Sequence, residues 1–335
     1  SINMAMQPFK MMVGDMVNEK QKGLAYSIQS FLCNAASLVG FLFPFIFTWI
    51  GISNIAPQGV VPDSVIYSFY IGAAILILCV IYTTVKVKEM PPAEYAEYHG
   101  ITEEEKKEKI NMVKLLVKAP KAFWTVGLVQ FFCWFAFMFM WTYTNGSVAA
   151  NVFDAPTVET VVNGANKVVL DTKSIQYQNA ADWVGVLFAV QAIGSVLWAV
   201  CIPMFKNRKL IYSLSLVLGG IGFISTYFVH NQYVLFISFL LIGCAWAAML
   251  ALPFTILTNA LSGGHMGTYL GLFNGTICIP QIVAATLGGS ILALFTPKGM
   301  LPPEINMLVM AGVMLIIGAV CVYLIKETKG EQAKA

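Results

Sequence analysis

Apolar residues in this chain come in long runs separated by short polar stretches. The runs lie near residues 1–17 (partial), 24–51, 65–86, 120–145, 182–205, 210–229, 232–259, 267–296 and 304–325. About 20 apolar residues in helical form cross a bilayer core, so each of the eight complete runs predicts a membrane-spanning helix. The first run predicts part of another. The stretch between Lys86 and Lys121 breaks the pattern: it contains EEEKKEK, with charges alternating at helical spacing. That pattern predicts a solvated helix or tether joining two bundles. Six runs follow it. The expected layout is the remainder of an N-terminal bundle over 1–86, a linker over 87–119, a six-helix bundle over 120–326 and a tail over 327–335. A six-plus-six architecture whose first three helices precede Ser1 accounts for this count.

Composition sharpens the picture. Hydrophobic residues make up 58% of the 335 and charged residues 11%, a balance that no water-facing surface of this size satisfies. The expected fold class is an all-α integral membrane protein. The net charge of +3 is carried by lysines in loops, which argues against a nucleic-acid partner. The seven cysteines stand singly inside apolar runs with no CxxC pair, so neither disulfides nor a metal site is expected. No signal-peptide pattern opens the chain.

Lys20 and Lys22, the 86–121 segment, then Lys206, Arg208 and Lys209, and finally Lys326, Lys329 and Lys334 fall on one side of the predicted bundle. Loops rich in lysine and arginine stay cytoplasmic, which puts that side and the C-terminus inside and makes the chain a multi-pass protein of the cytoplasmic (inner) membrane.

Between residues 24 and 325 no Asp, Glu, Lys or Arg occupies the middle of an apolar run, which singles out Lys10 and Asp15. An ionisable group at membrane depth either faces a cavity or snorkels to the interface. Both readings are open for Lys10, while Asp15, nearer a loop, suits a gate. Ser27, Ser30, Asn34 and Ser37 form a polar stripe that either lines a path or packs helices, with Asn34 the cavity candidate. Gln130, Trp134, Phe137, Trp141 and Asn145 share one face of the next span. Amides and aromatic rings suit a sugar, whose C–H faces pack on rings and whose hydroxyls need donors and acceptors. A plain aromatic packing stripe reads the same face equally well. Gln191 and Trp198 share a face of the following span. Asn274 and Gln281 lie seven apart around a kink expected at Pro280, and both pairs could reach a central cavity.

Three segments carry a resemblance. NMAMQPFKMMVGDMVNEKQKG, LPFTILTNALSGGHMGTYLGLFNGTICIPQIVAATLGG and, in outline, WFAFMFMWTYTNGSVAANVF resemble the fourth, the tenth and eleventh, and the seventh helices of the glycoside-pentoside-hexuronide cation symporters. The closest branch is the sucrose-transporter-like one, within the major facilitator superfamily. Asn3, Pro8, Lys10 and Asp15 match the signature of the fourth helix, with Lys standing where the family has Arg, a point charge in place of a fork. The resemblance implies a major facilitator superfamily fold of two helical bundles. It also implies proton-coupled uptake of a disaccharide or related glycoside, with no cofactor and H+ as coupling ion. The family's coupling Asp would fall just before Ser1. The candidate substrate-binding set is Asn3, Gln7, Lys10, Asn34, Gln130, Trp134, Trp141, Asn145, Gln191, Asn274 and Gln281, and Asp15, Arg208 and Lys209 are the candidates for the cytoplasmic gate. Membrane lipid and the sugar are the expected partners of a monomer.

Alternating access would rock the two halves about a midplane site, with Pro44, Pro203, Pro253 and Pro280 allowing helices to bend. An intramembrane enzyme would need an acid–base pair or a partnered histidine, and His99, His230 and His265 are scattered in loops. Efflux on the same fold and a non-transporting sugar sensor remain the rival readings.

Overall fold

The computed structural model describes residues 21–52, 63–88, 112–162, 165–205, 207–260, 266–297 and 299–325, together with a few isolated positions. Asn3, Gln7, Lys10 and Asp15 lie outside the described residues, as do the tail and most of the linker.

The helices are α1 (Lys22–Trp49), α2 (Asp63–Lys86), the short α3 (Met112–Val117), α4 (Lys121–Asn151), α5 (Ile175–Cys201), α6 (Arg208–Ser225), α7 (Leu235–Ala260), α8 (Met266–Phe273), α9 (Gly275–Phe295) and α10 (Ile305–Cys321). Among the described residues seven helical segments are long and apolar enough to cross a membrane, with α8 and α9 together forming one of them. In α1 the apolar stretch is Phe31–Phe43. The expected all-α membrane fold is what the chain adopts.

One segment departs from expectation. The gap between the apolar runs 120–145 and 182–205 is partly helical, because α4 continues to Asn151 and α5 begins at Ile175. Between them stands an antiparallel hairpin of β1 (Thr157–Val162) and β2 (Ala165–Leu170), with Thr157 opposite Leu170 and Val162 opposite Ala165. The physical reason is in the sequence: TVETVV and KVVL are β-branched runs flanking Asn163-Gly164, the dipeptide that favours tight hairpin turns. The hairpin marks one end of the bundle, called here the hairpin end. The end near α3 is the linker end.

Helix boundaries follow local chemistry. Ser174 caps α5 by accepting from the Tyr177 N–H at 3.2 Å, and Asn207 caps α6 by accepting from Leu210 N–H at 3.1 Å. The eleventh-helix-like segment breaks at Asn274 rather than at Pro280, which stays buried inside α9. Ile277 N–H turns to the Asn274 carbonyl at 3.0 Å, and the Phe273 carbonyl is taken by the Thr276 hydroxyl at 2.7 Å. Pro280 itself has no N–H, so the Thr276 carbonyl four residues back loses its helical donor.

Packing runs α2–α1–α5–α7–α6–α10–α4–α9, and α4 closes the C-terminal group by touching α5 and α7. Lipid tails are as apolar as leucine, so this association rests on close van der Waals fit. The tightest crossing, α5 on α7, is made by Gly194 and Gly243. A Cβ on Gly194 would stand 2.6 Å from the Leu240 carbonyl, and one on Gly243 would collide with the Gln191 carbonyl. The interior is aromatic, with Phe123, Phe137, Phe139, Tyr212, Phe223 and Phe239 fully buried. By contrast α2 buries only Ser64 and shows Phe69, Tyr70, Leu76 and Leu78 on its surface.

Candidate functional site

The candidate site is built where α4 meets α7, and its position follows from one proline. Pro253 lies inside α7 and has no N–H, so the carbonyl of Met249, four residues earlier, has no helical partner. Gln130 of α4 supplies one: its Nε2 donates to the Met249 carbonyl at 2.9 Å in a fully buried contact. The amide is thereby fixed across the two helices, and its Oε1 is left buried with no hydrogen-bond partner.

One turn along α4 comes Trp134, 7% exposed, whose Nε1 is also buried and unpartnered. Its ring meets Trp246 of α7 edge-on at 5.8 Å and Trp141 of α4 at 6.4 Å, and Trp141 meets Trp246 edge-on at 5.7 Å. Phe137 backs all this, 4.9 Å from Trp246 and 6.4 Å from Trp141. Three indoles therefore touch pairwise around a solid floor. Trp141 is 40% exposed, so the cluster is open on that side.

The chemistry on offer is neutral: ring faces for apolar contact, one amide oxygen able to accept and one indole N–H able to donate. Buried polar groups are nearly always satisfied in native structures, so two orphans on adjacent turns of one face are an exception that calls for an explanation. Sequence reasoning placed Gln130, Trp134 and Trp141 on this face. It missed Trp246, whose signal was a lone Trp on the helix interrupted by Pro253.

The other candidates are dispersed. Asn145 is one turn beyond Trp141 and donates from Nδ2 to the Tyr177 hydroxyl of α5 at 2.9 Å, leaving its Oδ1 buried and unpartnered. Asn34, 1% exposed, sits in the seam between α1 and α5, where its Oδ1 accepts from the Ser195 hydroxyl at 3.0 Å. It thus ties the first helices to the C-terminal group. Ser37, from the same stripe, donates to its own helix at the Cys33 carbonyl. Gln191 is 4% exposed beside the Gly243 crossing, and Trp198 turns to α6, donating to Ser215 Oγ at 2.8 Å. Asn274 stands at the α8–α9 break and Gln281 is half-buried on α9. Arg208 and Lys209 open α6 at the linker end, both half-buried. No described contact joins these residues to the indole cluster.

A cleft of about 560 Å³ opens elsewhere, among Ile224, Tyr227, Phe228, Phe295, Asn306 and Met310. Its walls are mainly apolar. The indole cluster is the better site on chemistry.

At the hairpin end sequence reasoning also passed over Glu304, which precedes α10. A Cβ on Gly146 of α4 would collide with its carboxyl group, so the carboxyl fills the notch that this glycine leaves. Burial pushes its pKa up from 4.5 to about 7. Its position at the end of a run, rather than inside one, is why the rule of scarce intramembrane charge did not flag it.

The body is thus a mainly helical, multi-pass one with an aromatic and amide cluster between two of its spans. Residues 157–335, just over half of the chain, match the Major Facilitator Superfamily, and the chain belongs to that superfamily. It is therefore a membrane transporter, not an enzyme. No curated protein matches it.

Proposed function

We propose that this transporter carries out proton-coupled uptake of a disaccharide or related glycoside across a cytoplasmic membrane, by alternating access, as a monomer with its C-terminus inside. The observation that carries this reading is the Trp134–Trp141–Trp246 cluster with the unpartnered Gln130 Oε1 and Trp134 Nε1 beside it. A pyranose or furanose ring presents C–H faces to indoles, and its hydroxyls supply both the donor that Gln130 lacks and the acceptor that Trp134 lacks. No charge is needed for such a ligand, and none is present in the described part of the cluster. The resemblance to glycoside symporters points to the same substrate class.

In this reading Asn3, Gln7 and Lys10 complete the site from the preceding helix, and Asn145, Gln191, Asn274 and Gln281 line the path. Asn34 holds the seam about which the halves rock. Asp15, Arg208 and Lys209 form the cytoplasmic gate.

The test is binding of sucrose and maltose to the purified full chain, read by indole fluorescence and by calorimetry. The expected result is saturable binding that weakens at least about tenfold, roughly 1.4 kcal/mol, in Trp141→Ala. Binding of neither sugar by folded protein, together with saturable binding of a lipophilic cation, would replace uptake of glycoside by efflux.

A further inference from the structure

Among the described residues, Glu304 is a titratable group that the neutral sugar site leaves unused. It stands at the N-terminal boundary of α10, and its carboxyl group fills the notch at Gly146 on α4. Two other groups lie within its electrostatic reach, the hydroxyls of Tyr143 on α4 and Tyr177 on α5. Tyr177 in turn receives the Asn145 hydrogen bond, and Asn145 Oδ1 has no donor. No cation pairs with Glu304 among the described residues, and Lys298, the nearest lysine in sequence, lies outside them. The tyrosine hydroxyls can pair with either form of the carboxyl, but among the described residues no positive charge balances a carboxylate seated in the Gly146 notch, so burial between α10 and α4 favours the neutral acid. The start of α10 favours a negative charge through its backbone dipole, but desolvation outweighs it.

We propose that the Glu304 carboxyl is a proton-binding site of this transporter, protonated while it is seated in the Gly146 notch between α10 and α4 and ionised when it withdraws to water. The step is a simple equilibrium: the acid releases H+ to bulk water and leaves a carboxylate, with no other bond changed. Seated, the neutral group clasps the outer parts of α4, α5 and α10 together, which are the elements that hold Trp141 and Asn145. Loss of the proton frees α10 from α4 at the hairpin end. Proton occupancy would in this way be linked to the arrangement of the sugar-binding helix. This link rests on the proton-coupled reading above, whereas the proton site itself stands independently of it.

The first arm of the test reads the proton directly. The full chain in lipid is titrated by difference infrared spectroscopy at the carboxylic C=O stretch, comparing the wild type with Glu304→Gln, Gly146→Ala and the exposed Glu159→Gln. The expected result is a band titrating near 7 that is lost in Glu304→Gln and kept in Glu159→Gln. In Gly146→Ala the added methyl closes the notch, and the midpoint should fall by roughly one unit or more. A wild-type midpoint in the ordinary carboxylate range, or a band near 7 that survives Glu304→Gln, would overturn the proposal. The second arm measures sucrose movement in vesicles. Glu304→Gln should keep exchange down a sugar gradient and lose accumulation driven by a proton gradient. Full accumulation in that variant would remove Glu304 from coupling, and absence of any sucrose movement in the wild type would reject the sugar reading while leaving the infrared result to stand.

Discussion

Two faces of the same helix, α4, carry opposite chemistries. Gln130, Trp134 and Trp141 face α7 with rings, an amide and an indole N–H, all neutral. Tyr143 and Gly146, round the other side, meet the single carboxyl that closes α10 onto the bundle. The neutral face carries unmet hydrogen-bonding capacity beside the exposed Trp141, whereas the ionisable face holds a half-buried carboxyl whose pKa burial raises to about 7. The two faces share one helix, so any movement of α4 shifts both.

The largest expected effect separates the faces most sharply. Combining Trp141→Ala with Trp246→Phe should abolish measurable disaccharide binding while leaving the carboxyl titration near 7 in place; calorimetry and infrared titration on the same sample check this. Loss of both signals would mean that the two faces form one site.

Next comes the pH dependence of stability. The Glu304 value in the folded bundle lies above its ordinary 4.5, so its protonation favours the folded state fully at pH below 4.5, and that contribution is lost as pH rises through about 7. The thermal midpoint of the wild type should therefore decline between those limits, and Glu304→Gln should flatten that part of the curve. A parallel decline in the variant would assign it to another group.

A smaller effect probes the scaffold of the neutral face. Gln130→Leu removes the donor that satisfies the Met249 carbonyl and should cost about 1–3 kcal/mol, measured as a fall in thermal midpoint. The loss should be larger than that of Ser195→Ala, which removes one hydrogen bond to Asn34 and should cost about 1 kcal/mol.

The spans were legible in the sequence because hydrocarbon demands long apolar helices, and residues 182–205 or 232–259 could hardly be anything else. The hairpin was legible too, in Asn163-Gly164 between β-branched runs, but a loop defined only as the gap between apolar runs conceals it. Helix periodicity put Gln130, Trp134 and Trp141 on one face. It could not show that Pro253, on another helix, frees the carbonyl that fixes Gln130, since that pairing spans 119 positions. Nor could it find Trp246 or the Gly146 notch, both of which depend on which helices become neighbours.

The most direct test of the central claim is uptake of labelled sucrose into vesicles holding the full chain, with and without an imposed proton gradient, for the wild type and Trp141→Ala. The account predicts gradient-driven accumulation by the wild type and its loss in the variant, with the carboxyl titration intact in both. Accumulation that is undiminished in Trp141→Ala would contradict the assignment of the indole cluster as the sugar site.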